Sequence, residues 1–433
     1  MKSKLLLTIL LAGLSALLAM PVGLATTQGN KSQPGRYTIT DLGTLPGGPF
    51  STATNIANNG LITGIAALPD YTQHAVLWQH GQIIDIGTPG AGGPNSGAFS
   101  VNERGQISLQ AESSATDPNN ENFCAYGTGL KCLPFLWQNG VMTPLPLLGG
   151  NNGTVGQINS RGEVVGVAEN GTVDSTCPPG VAFTGTGPQV LDYEAVIWGP
   201  KSGQVRELRP LEGDTVGMAL WINDEGQAVG GSGLCSNTVL PPIAFAPHAV
   251  LWEKDGSARD LGNLGSAVVN MALAINNHGQ VVGGSSKTPD ATVFNGTHAF
   301  LWTREKGMRD LGTLPGDVAS AGGGINDEGV VVGLSAGPDG GIRAFVWKDG
   351  VMTDLNTLVT ADSPLFLLSA GVINSSGEIV GFGVTEAGEV HGFLATPTND
   401  GHGERHKGTR ADLSDDARKA LRQLRFGPFG SRR

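Results

Sequence analysis

Four cysteines, eight histidines and 38 Asp and Glu residues hold whatever reactive chemistry this 433-residue chain carries. Cys124, Cys132, Cys177 and Cys235 are even in number and allow three connectivities. Cys124–Cys132 would close a local loop and Cys177–Cys235 would tie two neighbouring repeats together, and these two pairs are the ones predicted. No CxxC spacing supports zinc. His74, His248, His298 and His391 recur at one position of a repeat. That repeat separates them too widely to share one ion, and none has a second histidine beside it. A structural role is expected, each imidazole bonding a loop carbonyl or a neighbouring repeat. Asp192, Glu194, Glu212 and Asp214 are the carboxylates a polysaccharide hydrolase or lyase would draw on, and a glycosidase needs two carboxyls about 5–10 Å apart. The glycine-rich DLGTLPGG segment at 41–48 precedes no helix and no Lys-Ser/Thr pair, so it reads as a tight turn and not as a phosphate cradle. No nucleophile–base pair, metal cluster or cofactor fingerprint emerges. No catalytic residue, metal or cofactor is therefore assigned.

The elements that would position these groups are repeats. Residues 260–354 hold two nearly complete copies of one unit: DLGNLGSAVVNMALAINNHGQVVGGS then HAFLW, and DLGTLPGDVASAGGGINDEGVVVGLS then RAFVW. Each copy contains four short apolar runs bounded by Asn, Asp and Gly, as antiparallel strands joined by hairpins require. No convincing helical period occurs between Arg36 and Pro397. Four strands in about 50 residues is the pattern of a β-propeller blade.

Two landmarks count the blades. The turn glycine falls at 60, 105, 162, 226, 279, 329 and 377. The third-strand tryptophan falls at Trp78, Trp137, Trp198, Trp252, Trp302 and Trp347, with Ala395 in the last copy; Trp221 alone lies elsewhere. The last copy lacks a fourth strand, while RYTITDLG at 36–43 supplies one ahead of the first. The expected fold is all-β: a seven-bladed β-propeller with four antiparallel strands per blade, closed by the N-terminal strand.

Spacing locates the variation. The interval from each tryptophan to the next turn glycine is nearly constant, whereas the interval from turn glycine to tryptophan position doubles between the shortest and longest blades. Insertions therefore concentrate between strands two and three, at 113–133, 169–193, 232–247 and 286–297, on the same rim as the links between blades. Loops held on a rigid scaffold are where binding concentrates. Phe123, Tyr126, Phe183, Tyr193 and Phe245 lie in these insertions and are the expected ligand contacts, because aromatic groups offer large contact area at little entropic cost.

The repeated HAFLW, HAVLW and RAFVW segments, INDEG-type turns, GxVVG strands and DLGTLPGG links resemble the HAF-repeat family of bacterial extracellular proteins, over residues 36 to 396. The resemblance implies an exported propeller-like protein and carries over no catalytic or binding residue. Blade two (LPFLW, with Ser108-Leu109 where others have Val-Gly) and blade seven (HGFLA) depart from it most.

Export is also read directly. Lys2 and Lys4 precede an apolar run over 5–20, and Gly23-Leu24-Ala25 ends it with small residues, as in a secretory signal peptide cleaved after Ala25. Residues 26–35 would be a linker, 36–397 the propeller and 398–433 a flexible basic tail with a short helix. The tail carries nine Lys/Arg against four Asp/Glu from Glu404 onward. A net charge of −11 argues against nucleic acid as a partner. No later segment is apolar enough to span a membrane. The expected protein is thus a monomeric, secreted or periplasmic binding module for an extracellular glycan or protein, the polysaccharide hydrolase or lyase being the alternative.

Overall fold

The computed structural model describes residues 36–177, 188–238, 245–360 and 362–398. The expected leader at 1–25 and linker at 26–35, and the expected tail beyond Thr398, lie outside these residues. Seven antiparallel sheets of four strands form the blades, at 51–85, 92–144, 153–208, 216–260, 270–312, 319–354 and 366–398. The seventh takes its outer strand from Arg36–Asp41, which pairs with Val390–Thr398 from Arg36↔Thr398 to Asp41↔Phe393. The expected seven-bladed ring and its closing strand are both present.

Each recurring residue type has a mechanical cause. The second-strand glycines Gly64, Gly166, Gly230, Gly283, Gly333 and Gly381 face the inner strand so closely that a Cβ would lie 1.9 to 2.1 Å from a carbonyl oxygen there. Blade two has Leu109 at this position. The hairpin glycines between strands one and two all have φ between +69° and +85°, a region glycine enters without a steric penalty. Indole Nε1 groups reach the link preceding their own blade: Trp78 donates to Leu42 O, Trp198 to Pro146 O and Trp252 to Arg209 O, at 2.7 to 2.8 Å. Apolar clusters fill the seams between adjacent blades; Val165, Ile197, Ile222, Val250 and Trp252, for example, pack blade three on blade four.

The asparagine of the INDEG-type turns joins blade to blade. Asn102, Asn159, Asn223, Asn276, Asn326 and Asn374 are each at most 5% exposed. Each Nδ2 donates to the backbone carbonyl of the equivalent residue in the next blade, at 2.9 to 3.5 Å, and the last of these bonds runs from Asn374 to Ala57 O. Their Oδ1 atoms accept backbone N–H groups of their own turns. In blade one, where Ala57 takes the place, Asn58 and Asn59 bond Glu103 instead. The result is a girdle of hydrogen bonds around the rim opposite the insertions.

The histidines are structural, but their partners are not the expected carbonyls. His74 lies 2.9 Å from Asp85, His298 3.0 Å from Asp310 and His391 2.9 Å from Asp41, each acid coming from the fourth strand of the same blade. The acids also anchor the links, since Asp41 and Asp310 accept the N–H of Gly43 and Gly312. DLGTLPGG is a turn, with Gly48 N–H bonding Leu45 O at 2.8 Å. Both predicted disulfides are formed, Cys124–Cys132 and Cys177–Cys235, the second bridging the insertions of blades three and four.

Candidate ligand well and insertion rim

The inner strand of every blade contains a β-bulge, where at least one residue has no partner on strand two. The unpaired residues include Thr54, Phe99, Gly156, Leu220, Leu273, Gly323 and Gly371, and all line the ring axis. A bulge turns its extra side chain off the sheet, so the seven strands together aim one layer of residues at the centre. The layer is lopsided: Phe99, Leu220 and Leu273 are bulky, whereas Gly156, Gly323 and Gly371 are bare.

The axis is plugged. Trp221 follows the bulge of blade four and packs against the seams between blades seven and one, four and five, and five and six. Beside it Asn55 Nδ2 donates to Gln157 Oε1 at 2.8 Å, linking blade one to blade three. These groups divide the channel. Toward the insertion rim lies a well of about 290 Å³, walled by Phe99, Val155, Leu220, Leu273, Leu334 and Phe382. It reaches sideways between blades six and seven, whose loops between strands two and three are short. Toward the opposite rim a polar hollow of about 180 Å³ is lined by the turn residues, among them Asn58, Glu103, Asp224 and Asp327. Among the described residues no Asp, Glu, His or Cys lines the well.

The insertions have a core of their own. Phe123 and Tyr193 are buried at 4% and 1% exposure and meet edge to face, ring centres 6.3 Å apart. Tyr126 and Phe245 are half-buried and pack on the same cluster, which includes Cys124, Cys132, Cys235, Val216 and Met218. Phe183 lies outside the described residues. Of the aromatic residues singled out from sequence, the two most buried thus hold the insertions together.

A second buried layer beneath the rim is acidic. Asp117, Glu121 and Glu169 are at most 2% exposed and converge on Asn152, whose Nδ2 lies 2.9, 3.3 and 3.2 Å from them. Glu121 also accepts the N–H groups of Val190 and Leu191, so blade two's insertion grips the return of blade three's. Burial, then the charge and hydrogen bond of Glu121, push the Glu169 carboxyl up to about 9, against the opposing pull of Asn151 and Asn152.

The carboxylates considered for hydrolysis are not brought together as a set. Asp214 is committed to His248 at 2.9 Å and to Ser232. Glu212 is exposed. Asp192 and Glu194 share one face of blade three's third strand. Burial, followed by Asp192 and Glu207, pushes Glu194 up to about 8. Asp174, Cys177 and Cys235 bring ligand-type atoms within 4.8 Å of one another, but the sulfurs are joined to each other and offer no thiolate. Among the described residues no helix is long and apolar enough to cross a membrane.

Trp221 and the bulged residues were not expected from sequence as site residues. The available signal was that one tryptophan of seven breaks the repeat register, and it breaks it in an inner strand.

No family model matches the chain, and no curated protein matches it. Solved propellers do. Virginiamycin B lyase from Staphylococcus aureus is 9% identical over 83% of this chain and 99% of its own, with a TM-score of 0.45. The Aleuria aurantia lectin is 8% identical over 74% and 96%, TM-score 0.35. TolB from Acinetobacter baumannii is 11% identical over 82% and 86%, TM-score 0.37. None of them informs the chemistry of this chain.

Proposed function

We propose that this chain is an exported propeller of the HAF-repeat type that binds a glycan or protein of the cell exterior. Its ligand is received at the axial well and the insertion rim around it. The observation that carries this reading is the well itself: a blind, largely apolar cavity floored by an indole, on the side of the ring whose three long insertions are pinned by two disulfides. Such a cavity fits an aliphatic or aromatic side chain of a protein, or the apolar face of a sugar stacked on the Trp221 ring. With no titratable side chain among the described residues of its lining, the well favours recognition over acid–base chemistry. The disulfides suit an oxidising compartment.

The test screens the intact chain against cell-envelope glycans and secreted proteins, then repeats the measurement with two variants. Leu273→Trp fills the well, and a second variant trims 113–133, 169–193 and 232–247 to the loop length of blade six. The expected result is at least tenfold weaker binding by the filled variant at unchanged melting temperature, and weaker binding by the trimmed one. Equal binding by the intact chain and both variants refutes the reading.

A further inference from the structure

The hollow at the rim opposite the insertions is not used by the ligand site proposed above. Its mouth is ringed by the residue that follows each girdle position. In blades two, four and six that residue is Glu103, Asp224 and Asp327, so three carboxylates stand at alternate blades around the axis. Among the described residues no Lys or Arg lines the hollow. The turn cations Arg104 and Arg161 are outside the lining, and Arg161 is held by Glu163. His278 lies 4.0 Å from Asp327.

Part of this ring is structural. The Ser160 N–H donates to Asp224 Oδ1 and Asn58 Nδ2 to Glu103 Oε1, both at 2.9 Å, and Asn277 donates to both oxygens of Asp327. Glu103 Oε2 and Asp224 Oδ2 form no hydrogen bond among the described residues. The floor holds a further open group. The residue after the bulge is Asn55, Ser100 and Gln157 in blades one to three, and Asn55 is bonded to Gln157. Ser100 is left out: it lines the hollow at 1% exposure, and its Oγ is buried with no hydrogen-bond partner. A buried hydroxyl without a partner is costly, and a ligand donor that reaches it removes that cost.

The three carboxylates do not converge on one point as the ligands of a metal ion would. They surround the axis instead, and a cleft walled by protein focuses the field of such charges along its length. That field suits a cation whose charges are spread along a chain. We propose that the hollow binds an aliphatic polyamine, through Glu103, Asp224 and Asp327 at the mouth and Ser100 at the floor. An alkylammonium group has three donors and gives one to Ser100 Oγ, beside Trp221, whose indole is the aromatic ring that attracts such a group best. The methylene chain occupies the space of about 180 Å³ above it, and a second ammonium group stays among the carboxylates.

The test titrates the full chain with spermidine by calorimetry at low salt, where exposed charges are least screened. A second full chain, with the nine Lys/Arg beyond Glu404 changed to Gln, is titrated alongside, so that the protein's own basic residues cannot fill the hollow. One spermidine per chain is expected in the second protein, and in the first unless its basic residues compete. Glu103→Gln with Asp224→Asn keeps the oxygens that accept from Asn58 and Ser160, and is expected to weaken binding about tenfold or more at unchanged melting temperature. Ser100→Ala is expected to weaken it about tenfold by removing the floor acceptor. Glu225→Gln with Glu328→Gln takes the same charge from the same turns outside the lining and should leave affinity as it is. No heat in either protein overturns the proposal. So does equal weakening by the lining pair and the outside pair, or wild-type affinity in Ser100→Ala.

Discussion

Replacing Glu169 with glutamine is expected to flatten the pH dependence of stability. Glu169 is fully buried against Glu121, and its carboxyl is raised from an ordinary 4.5 to about 9, so the folded chain holds a proton that the unfolded chain releases across that window. Stability falls with pH wherever the folded state binds more protons. The contribution of this group is thus complete below about pH 4.5 and is lost as pH rises toward 9. One proton of difference is worth ~1.4 kcal/mol per pH unit, which gives ~3 kcal/mol between pH 6 and pH 8. A glutamine amide stays neutral at every pH: its oxygen still accepts the N–H groups of Asn151 and Asn152 that Glu169 accepts at 3.0 and 2.9 Å, its nitrogen can donate to Glu121, and the bond that Gln189 Nε2 donates to Glu169 Oε1 is lost at all pH values alike. The assay is urea unfolding of both proteins at pH 6, 7 and 8 in EDTA. Variant stability minus wild-type stability should climb by ~3 kcal/mol across the series. A difference that stays constant with pH refutes the shared-proton account, whatever its absolute size.

Three further outcomes follow from the fold. Deleting residues 36–41 removes buried Tyr37 and Ile39 and bares the edge of Val390–Thr398; the shortened chain should aggregate, as read by size-exclusion chromatography. Asn276→Ala loses the 2.9 Å bond to Asn326 O and leaves two turn N–H groups without their Oδ1 acceptor, for about 1–3 kcal/mol by urea unfolding. Trp221→Ala merges the well with the hollow beneath it and should lower stability by about 3–5 kcal/mol, measured in the same way.

The ring was legible because its landmarks are single residue types at fixed spacing. Trp78 and its counterparts each cap a blade seam, and the hairpin glycines each need a positive φ, so both survive wherever a blade survives. The asparagines were just as regular, yet Asn223 reads in sequence only as a turn residue. Its bond to Asn276 O exists because the ring brings the turns of two successive blades into contact. The aromatic residues of the insertions show the converse. Phe123 and Tyr193 belong to different blades, and nothing in the pattern says they meet, but a long loop needs apolar contacts of its own to be held still. Local hydrophobic period cannot show such a satellite core. The Glu121–Glu169 pair was hidden for the same reason, each partner resembling an ordinary loop acid until folding buries both.

The closing strand also orders events in time. Arg36–Asp41 is the first part of the ring to be synthesised and Val390–Thr398 the last, with all the other strands between them. Six blades can form their hairpins as the chain emerges, each from one continuous stretch of sequence. The seventh must wait, and the waiting strand carries an unsatisfied edge throughout. Loop-closure entropy grows only slowly with length, so the final pairing is slow more for want of a partner than for want of driving force. A ribosome that stops short, or a protease that removes the last strand, therefore leaves every product with two open edges, a defect by which damaged copies can be told from finished ones.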